Sequence, residues 1–224
     1  MGGFETLRAE GAPVRAYTAS TPGFVRHGRP GIVLFHAWWG LNDDVVSHGE
    51  RLAALGYGVV APDMFDGEVA TTVDRAEALA SGADESRCEA IALAAVDRLA
   101  ELAGPMARLA AVGFSFGAPW ALLAPARRPR VVATVLWYGT SGGSILGATS
   151  APVLGHFAED DPYESEDGVA DFERTLRDAG RDVTLHRYPG TGHWFAEPSQ
   201  PAYDRAAAEL AFDRTAAFLR ERLR

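Results

Sequence analysis

Residues Arg108–Leu123 read RLAAVGFSFGAPWALL. An apolar run ends at Phe114, Ser115 follows, and glycines stand two positions before and after it, at Gly113 and Gly117. RLAAVGF (108–114) has the composition of a buried strand, and FGAPWALLA opens a helix. A serine on a sharp strand-to-helix turn needs glycine on both sides, because side chains there would collide. Such a serine sits at a helix N-terminus, whose N–H groups favour a developing oxyanion. The alternative is an ordinary turn between a strand and a helix. Gly and Ser are common in turns, so the partners of Ser115 decide between the two.

Outward from this stretch the same alternation recurs. VRAYTA (14–19) reads as an edge strand. GIVLFH (31–36) and YGVVAPD (57–63) read as strands buried on both faces. RVVATVLWYG (130–139), APVLGHFA (151–158) and DVTLHRYPG (182–190) are further strands. Between them lie helical patterns. DDVVSHGERLAALG (43–56) has Val46, Leu52 and Leu55 at helical spacing and Gly56 as a stop. TTVDRAEALAS and DESRCEAIALAAVDRLAEL are Ala- and Leu-rich, the second capped near Asp84. ESEDGVADFERTLRDAG ends at Gly180, and a C-terminal amphipathic helix offers Leu210, Phe212, Phe218 and Leu219 as inward candidates. Strands alternating with helices predict a mostly parallel α/β sheet covered by helices. In such sheets ligands bind beyond the carboxyl ends of the strands.

The chain of 224 residues is long enough for one α/β domain spanning 1–224 with a sizeable core. The apolar fraction of 47% and the absence of an apolar run near 18 residues predict a globular protein without membrane spans. No apolar h-region follows Met1, so no signal peptide is expected, and the cytoplasm is the expected location. Cys88, the single cysteine, lies in a helical pattern and reads as a structural thiol in a reducing compartment. Net charge of −9 without a basic stripe argues against nucleic acid as a partner. The acidic balance favours solubility and leaves monomer and homodimer both open.

A nucleophilic serine needs a base, and the base needs an orienting carboxylate. VLGHFAEDDPYES ends a strand in an acidic loop with Glu159, Asp160 and Asp161. TLHRYPGTGHWFAEP ends a strand in a Gly-rich loop carrying His193. Taken alone, an acidic loop is a solvated surface and a lone histidine is structural. In order after Ser115, each following a strand, the three make a candidate Ser–acid–His triad. The remaining histidines fit less well. His27 precedes a strand, His48 reads as a solvated helix residue, His156 and His186 lie within strands, and His36 precedes the serine and reads as loop-shaping.

The backbone N–H groups of Phe116 and Trp38 are the expected oxyanion donors, Trp38 coming from the early loop in LFHAWWGLN (34–42). His36, Ala37, Trp38, Trp120, Trp194 and Glu197 are the expected pocket residues. Trp39 and Trp137 read as core. An aromatic wall of Trp38 and Trp194 suits an apolar or aromatic acyl group. No metal site is expected.

With these motifs in place, the sequence resembles the dienelactone hydrolase family of α/β-hydrolases. The likeness runs from IVLFHAWWGLN through YGVVAPDMFDG, AVGFSFGA and HFAEDDPY to YPGTGHWFAEP and the C-terminal helix. The resemblance implies the α/β-hydrolase fold, a mostly parallel twisted sheet with helices on both faces and no large cap domain. It implies hydrolysis of small esters or lactones without a cofactor, and by the family's G-x-x-D pattern it places the acid at Asp161 rather than Asp160. Three positions depart from it. Members with a cysteine nucleophile carry a glutamate in the early loop; here the two positions are Ser115 and Ala37. The changes agree, because a carboxylate can deprotonate a thiol but not usefully a serine hydroxyl. The family's arginine after the histidine, which holds a substrate carboxylate, reads Glu197 here. A carboxylate there would repel an anion, so a neutral ester or lactone is the expected substrate. The alternatives are a cyclase, lyase or acyltransferase of a biosynthetic pathway using the same triad, or a non-catalytic small-molecule binder on this scaffold.

Overall fold

The uninterrupted apolar runs become strands with no exposed face. In chain order the strands are β1 (Gly2–Ala9), β2 (Ala12–Ala19), β3 (Gly31–Phe35), β4 (Gly58–Pro62), β5 (Leu109–Phe114), β6 (Val131–Trp137), β7 (Val153–Asp160) and β8 (Val183–Gly192). The computed structural model describes residues 2–21, 24, 28–140, 143 and 145–224; the reading of His27 lies outside them. Every residue of β3, β4 and β5 is buried. Among the described residues the eight strands form one sheet in the order β1-β2-β4-β3-β5-β6-β7-β8. β1 and β2 are antiparallel to their neighbours, and every other pairing is parallel.

Helices α1 (Asp43–Ala54), α2 (Val73–Ser81), α3 (Glu85–Ala103), α4 (Ala118–Arg127), α5 (Ile145–Ala148), α6 (Glu166–Asp178) and α7 (Arg205–Arg222) connect and cover the sheet. Alternate residues of β3 enter opposite cores, as the two-residue period of a strand requires. Val33 and Phe35 pack with α3, α4 and α6, while Ile32 and Leu34 pack with α1 and α7. The caps follow the sequence: Asp84 accepts the Arg87 N–H at the start of α3. Cys88 is buried in α3, and burial pushes its thiol up to about 11, as suits a structural residue. No helix of the described residues is long and apolar enough to cross a membrane. No separate cap domain interrupts the described chain.

Three local expectations are corrected. The edge of the sheet is β1, with β2 inside it. The strand GGFETLRA was hidden because only its alternate late positions are buried. Its signal was the Glu10–Gly11 pair, where both residues take positive φ (49° and 85°) and close a two-residue hairpin. In α7 the buried stripe runs through Ala208, Ala211, Phe212, Thr215, Ala216 and Leu219, which leaves Leu210 exposed. His48 is buried rather than solvated, its ring edge-on to Phe114, Trp137 and Phe212.

Candidate active site

Ser115 follows β5 directly and opens a short 3-10 turn, Ser115–Gly117, that leads into α4. Its φ is +45°, a region a non-glycine residue enters only under constraint. The neighbours supply that constraint. A Cβ on Gly113 would lie 2.4 Å from the Gly117 carbonyl oxygen, and one on Gly117 would lie 2.5 Å from the Phe35 oxygen. Gly139, just past β6, is held as closely: its Cβ would sit 2.9 Å from Ser115 O and 3.2 Å from Ser115 Cα. The sequence reading missed this third glycine, because nothing local marks it; strand β6 runs beside β5 and brings it under the turn.

His193 and Asp161 arrive from the ends of β8 and β7. His193 Nδ1 donates to Asp161 Oδ2 at 2.7 Å, and its Nε2 lies 3.1 Å from Ser115 Oγ. Both side chains are almost sealed, at 3% and 1% exposure. Asp161 Oδ1 accepts the N–H groups of Tyr163 (2.9 Å) and Glu164 (3.0 Å). Of the three acids in the loop, Asp161 is the one that meets His193; Asp160 is exposed, and Glu159 accepts the Gly190 N–H. The N–H of Phe116 belongs to the first helical turn, where such groups have no acceptor inside the helix. Among the described residues, three of the five non-glycine residues with positive φ, Ser115, Tyr138 and Trp194, lie at this site, a concentration typical of functional backbone.

Trp38, Trp194 and the half-exposed Tyr163 touch one another, with ring centroids 5.3 to 5.7 Å apart. Tyr163 and Trp194 each stand about 5 Å from the His193 ring. Of the expected pocket residues, Trp38 and Trp194 are therefore at the site, and Tyr163 joins them. The remaining four are buried. His36 is fully buried and shapes the early loop. Its Nε2 accepts the Met64 N–H at 3.0 Å, so the proton is on Nδ1, which donates to Ala37 O at 2.7 Å. Burial holds its pKa below the ordinary value, consistent with a neutral ring. Ala37 packs into the core with Trp39, and Trp120 lies in the opposite core, where its ring meets that of Phe116. The early loop is roofed by the segment after β4: Ala70 N–H bonds Trp39 O, and a Cβ on Gly40 would meet Glu68 O at 2.3 Å.

Glu197 departs furthest from its expected role. It is 3% exposed, and its Oε1 accepts the Tyr138 hydroxyl at 2.9 Å. Desolvation pushes its carboxyl up to about 8, against the lowering effect of the Tyr138 bond. A sealed, mostly neutral acid does not repel a substrate. Among the described residues, no cluster of three or more metal-ligating side chains occurs.

A family model, the dienelactone hydrolase family, matches residues 14–223. The chain belongs to the dienelactone hydrolase family. It is thus an ester or lactone hydrolase by class. Among curated relatives it is 31% identical to "Protein usf" of Aquifex pyrophilus, with both chains fully covered. It is 27% identical to the "Putative carboxymethylenebutenolidase" of Escherichia coli (strain K12), covering 96% of this chain and 84% of that one. Among solved structures, a dienelactone hydrolase-like promiscuous phosphotriesterase from metagenomic libraries superposes with a TM-score of 0.87 at 22% identity, covering 100% and 99% of the two chains. The likeness confirms the fold. The sequence-level resemblance to dienelactone hydrolases is thereby the family itself.

Proposed function

We propose that this dienelactone hydrolase family member cleaves small, neutral esters or lactones through an acyl-serine intermediate on Ser115. The observation that carries the reading is His193 standing between Ser115 Oγ and Asp161 Oδ2. With Nδ1–H committed to Asp161, Nε2 is the free acceptor for the serine proton. Ser115 Oγ attacks the carbonyl carbon as its proton passes to His193 Nε2. Asp161 stabilises the imidazolium, and the N–H groups of Phe116 and Trp38 take the oxyanion. The C–O bond to the alkoxide breaks, and His193 returns the proton to the leaving oxygen. In a lactone that alcohol stays attached to the acyl chain. Water then repeats the sequence on the acyl-serine and releases the acid.

The preference for a neutral substrate rests on surroundings other than Glu197. All 21 lysine-or-arginine positions are arginines, and among the described residues no arginine forms an ion pair with the triad or stacks on its three aromatic rings. The nearby titratable groups, Glu159, Asp160 and Glu164, are acidic. Trp38, Trp194 and Tyr163 offer ring faces to an apolar or aromatic group. The protein works as an intracellular enzyme on a small molecule and needs no cofactor for this chemistry. The carboxymethylenebutenolidase and phosphotriesterase names of the relatives describe attack on an electrophilic ester centre, which agrees with this mechanism.

The test is turnover of 4-nitrophenyl butyrate with matched neutral and anionic lactones by wild type and Ser115→Ala. The expected result is turnover of the neutral members and a loss in kcat on the order of 10⁴-fold or more in the variant. Intact-mass analysis after a dialkyl aryl phosphate should show one phosphoryl adduct on wild type and none on Ser115→Ala. Retained turnover in the alanine variant overturns the assignment.

A further inference from the structure

Behind the triad lies a second polar group that the mechanism above does not use. Tyr138 follows β6 with φ +41° and no exposure. Its ring centroid is 5.0 Å from that of His193. The next residue, Gly139, abuts Ser115. The one after, Thr140, donates its N–H to Glu164 Oε1 at 3.0 Å and its hydroxyl to Glu164 Oε2, and the Glu164 N–H in turn bonds Asp161. Three consecutive residues therefore bear on all three members of the triad, each by a different contact. Glu197 grips the first of them through the Tyr138 hydroxyl.

Glu197 has one further oxygen. Oε2 is buried without a partner, and so is Nε2 of His48. Both residues line one small cavity with Asp44, Val45, Phe114 and Ala196. The space in it open to the centre of a water molecule is about 10 Å³, which is room for about one water. We propose that Glu197 is a positioning residue: through the Tyr138 hydroxyl and one buried water shared with His48, it holds Tyr138–Thr140 in place beneath the triad. The proposal rests on the triad reading of the function.

The proton inventory closes. Tyr138 donates to Oε1, so an acid proton on Oε2 needs an acceptor, which the water provides. The water in turn donates to His48 Nε2, which burial holds unprotonated, its pKa pushed down to about 3. The groups that face Glu197 are the Tyr138 hydroxyl past β6 and Asp44 and His48 from α1. Asp44 raises the Glu197 pKa further, and Arg51, beside His48, lowers that of the histidine. Glu197 keeps its proton until pH rises through about 8, and the bonds through the water rearrange there. The ionised form no longer donates to the water, which must turn to donate to Oε2, and it puts a charge where the Tyr138 hydroxyl is the one protein donor.

Glutamine at this position keeps both hydrogen bonds and cannot ionise. The experiment compares wild type, Glu197→Gln and Glu197→Ala in kcat–pH profiles from pH 6 to pH 10 on 4-nitrophenyl butyrate. Wild type should lose kcat above about pH 8, whereas Glu197→Gln should match it within about twofold at pH 7 and hold its plateau. Glu197→Ala should lower kcat by about 10-fold to 100-fold with KM nearly unchanged, as loosened alignment does. A second readout needs no substrate: the ¹⁵N imidazole signals of His193 should register a step near pH 8 in wild type that is absent in Glu197→Gln. An alkaline limb shared by wild type and Glu197→Gln overturns the proposal, as does a folded Glu197→Ala with wild-type kcat. If wild type hydrolyses none of the esters, the triad reading falls, and the His193 titration alone decides whether Glu197 acts on it.

Discussion

Two carboxyl groups reach His193 by different routes, and the regions that hold them differ in how many donors they supply. In the loop after β7, three donors converge on Asp161: the His193 Nδ1–H and the N–H groups of Tyr163 and Glu164. In the small cavity beside α1, Glu197 meets one donor, the Tyr138 hydroxyl, and keeps an oxygen with no protein partner. Burial is nearly complete at both sites. Donors stabilise a carboxylate, and burial without them favours the acid. Residue type and burial alone therefore do not tell an orienting anion from a neutral spacer; the donor count does.

The largest effect that would break this contrast is at Asp161. Asp161→Asn keeps the shape but presents its amide to His193, which favours the wrong tautomer. A fall in kcat on the order of 10³-fold to 10⁴-fold is expected with the fold unchanged, read by steady-state kinetics and circular dichroism. A loss below tenfold would mean that Asp161 only shapes its loop.

Next is the pH dependence of stability at Glu197. Below pH 4.5, the ordinary carboxyl value, folded and unfolded chains both carry the proton and the group is silent. Between 4.5 and about 8 the unfolded chain releases it and the folded one keeps it, so stability falls as pH rises, and it levels off above about 8. The slope approaches ~1.4 kcal/mol per pH unit. Urea unfolding of Glu197→Gln against wild type should show a difference that widens in favour of the variant across this window. Parallel curves would mean that burial does not raise the Glu197 carboxyl.

The smallest effect sharpens the view that both regions meet at the turn past β6. Gly139→Ala drives a methyl against Ser115 and should destabilise the protein by about 1–3 kcal/mol while lowering kcat. Denaturant midpoint and turnover, measured together, should both fall. Unchanged turnover would separate that turn from the serine.

Much of this protein was legible before folding. The strands β3, β4 and β5 were visible because residues buried on both faces must be apolar without interruption. The Gly113–Ser115–Gly117 turn was visible because its strain permits few residue types nearby. The order of serine, acid and histidine, each after a strand, carried the site. Strand β1 was less legible, since a strand with one solvated face has no continuous signal. His48 and Glu197 were misread for one reason: a polar side chain carries no mark of its own burial, which is set by what α1 and the loop after β8 bring over it.

The sequence by itself determined the alternation of strands and helices, the strained serine and the chain order of its partners, because backbone sterics and two-faced burial restrict composition locally. Only the tertiary structure decided which acid meets His193, that Gly139 lies against Ser115, and that Glu197 is buried with its carboxyl pushed up. Those depend on distances between β5, β6, β7 and β8 and on the water excluded between them, and desolvation is a property of the assembled neighbours rather than of any residue alone.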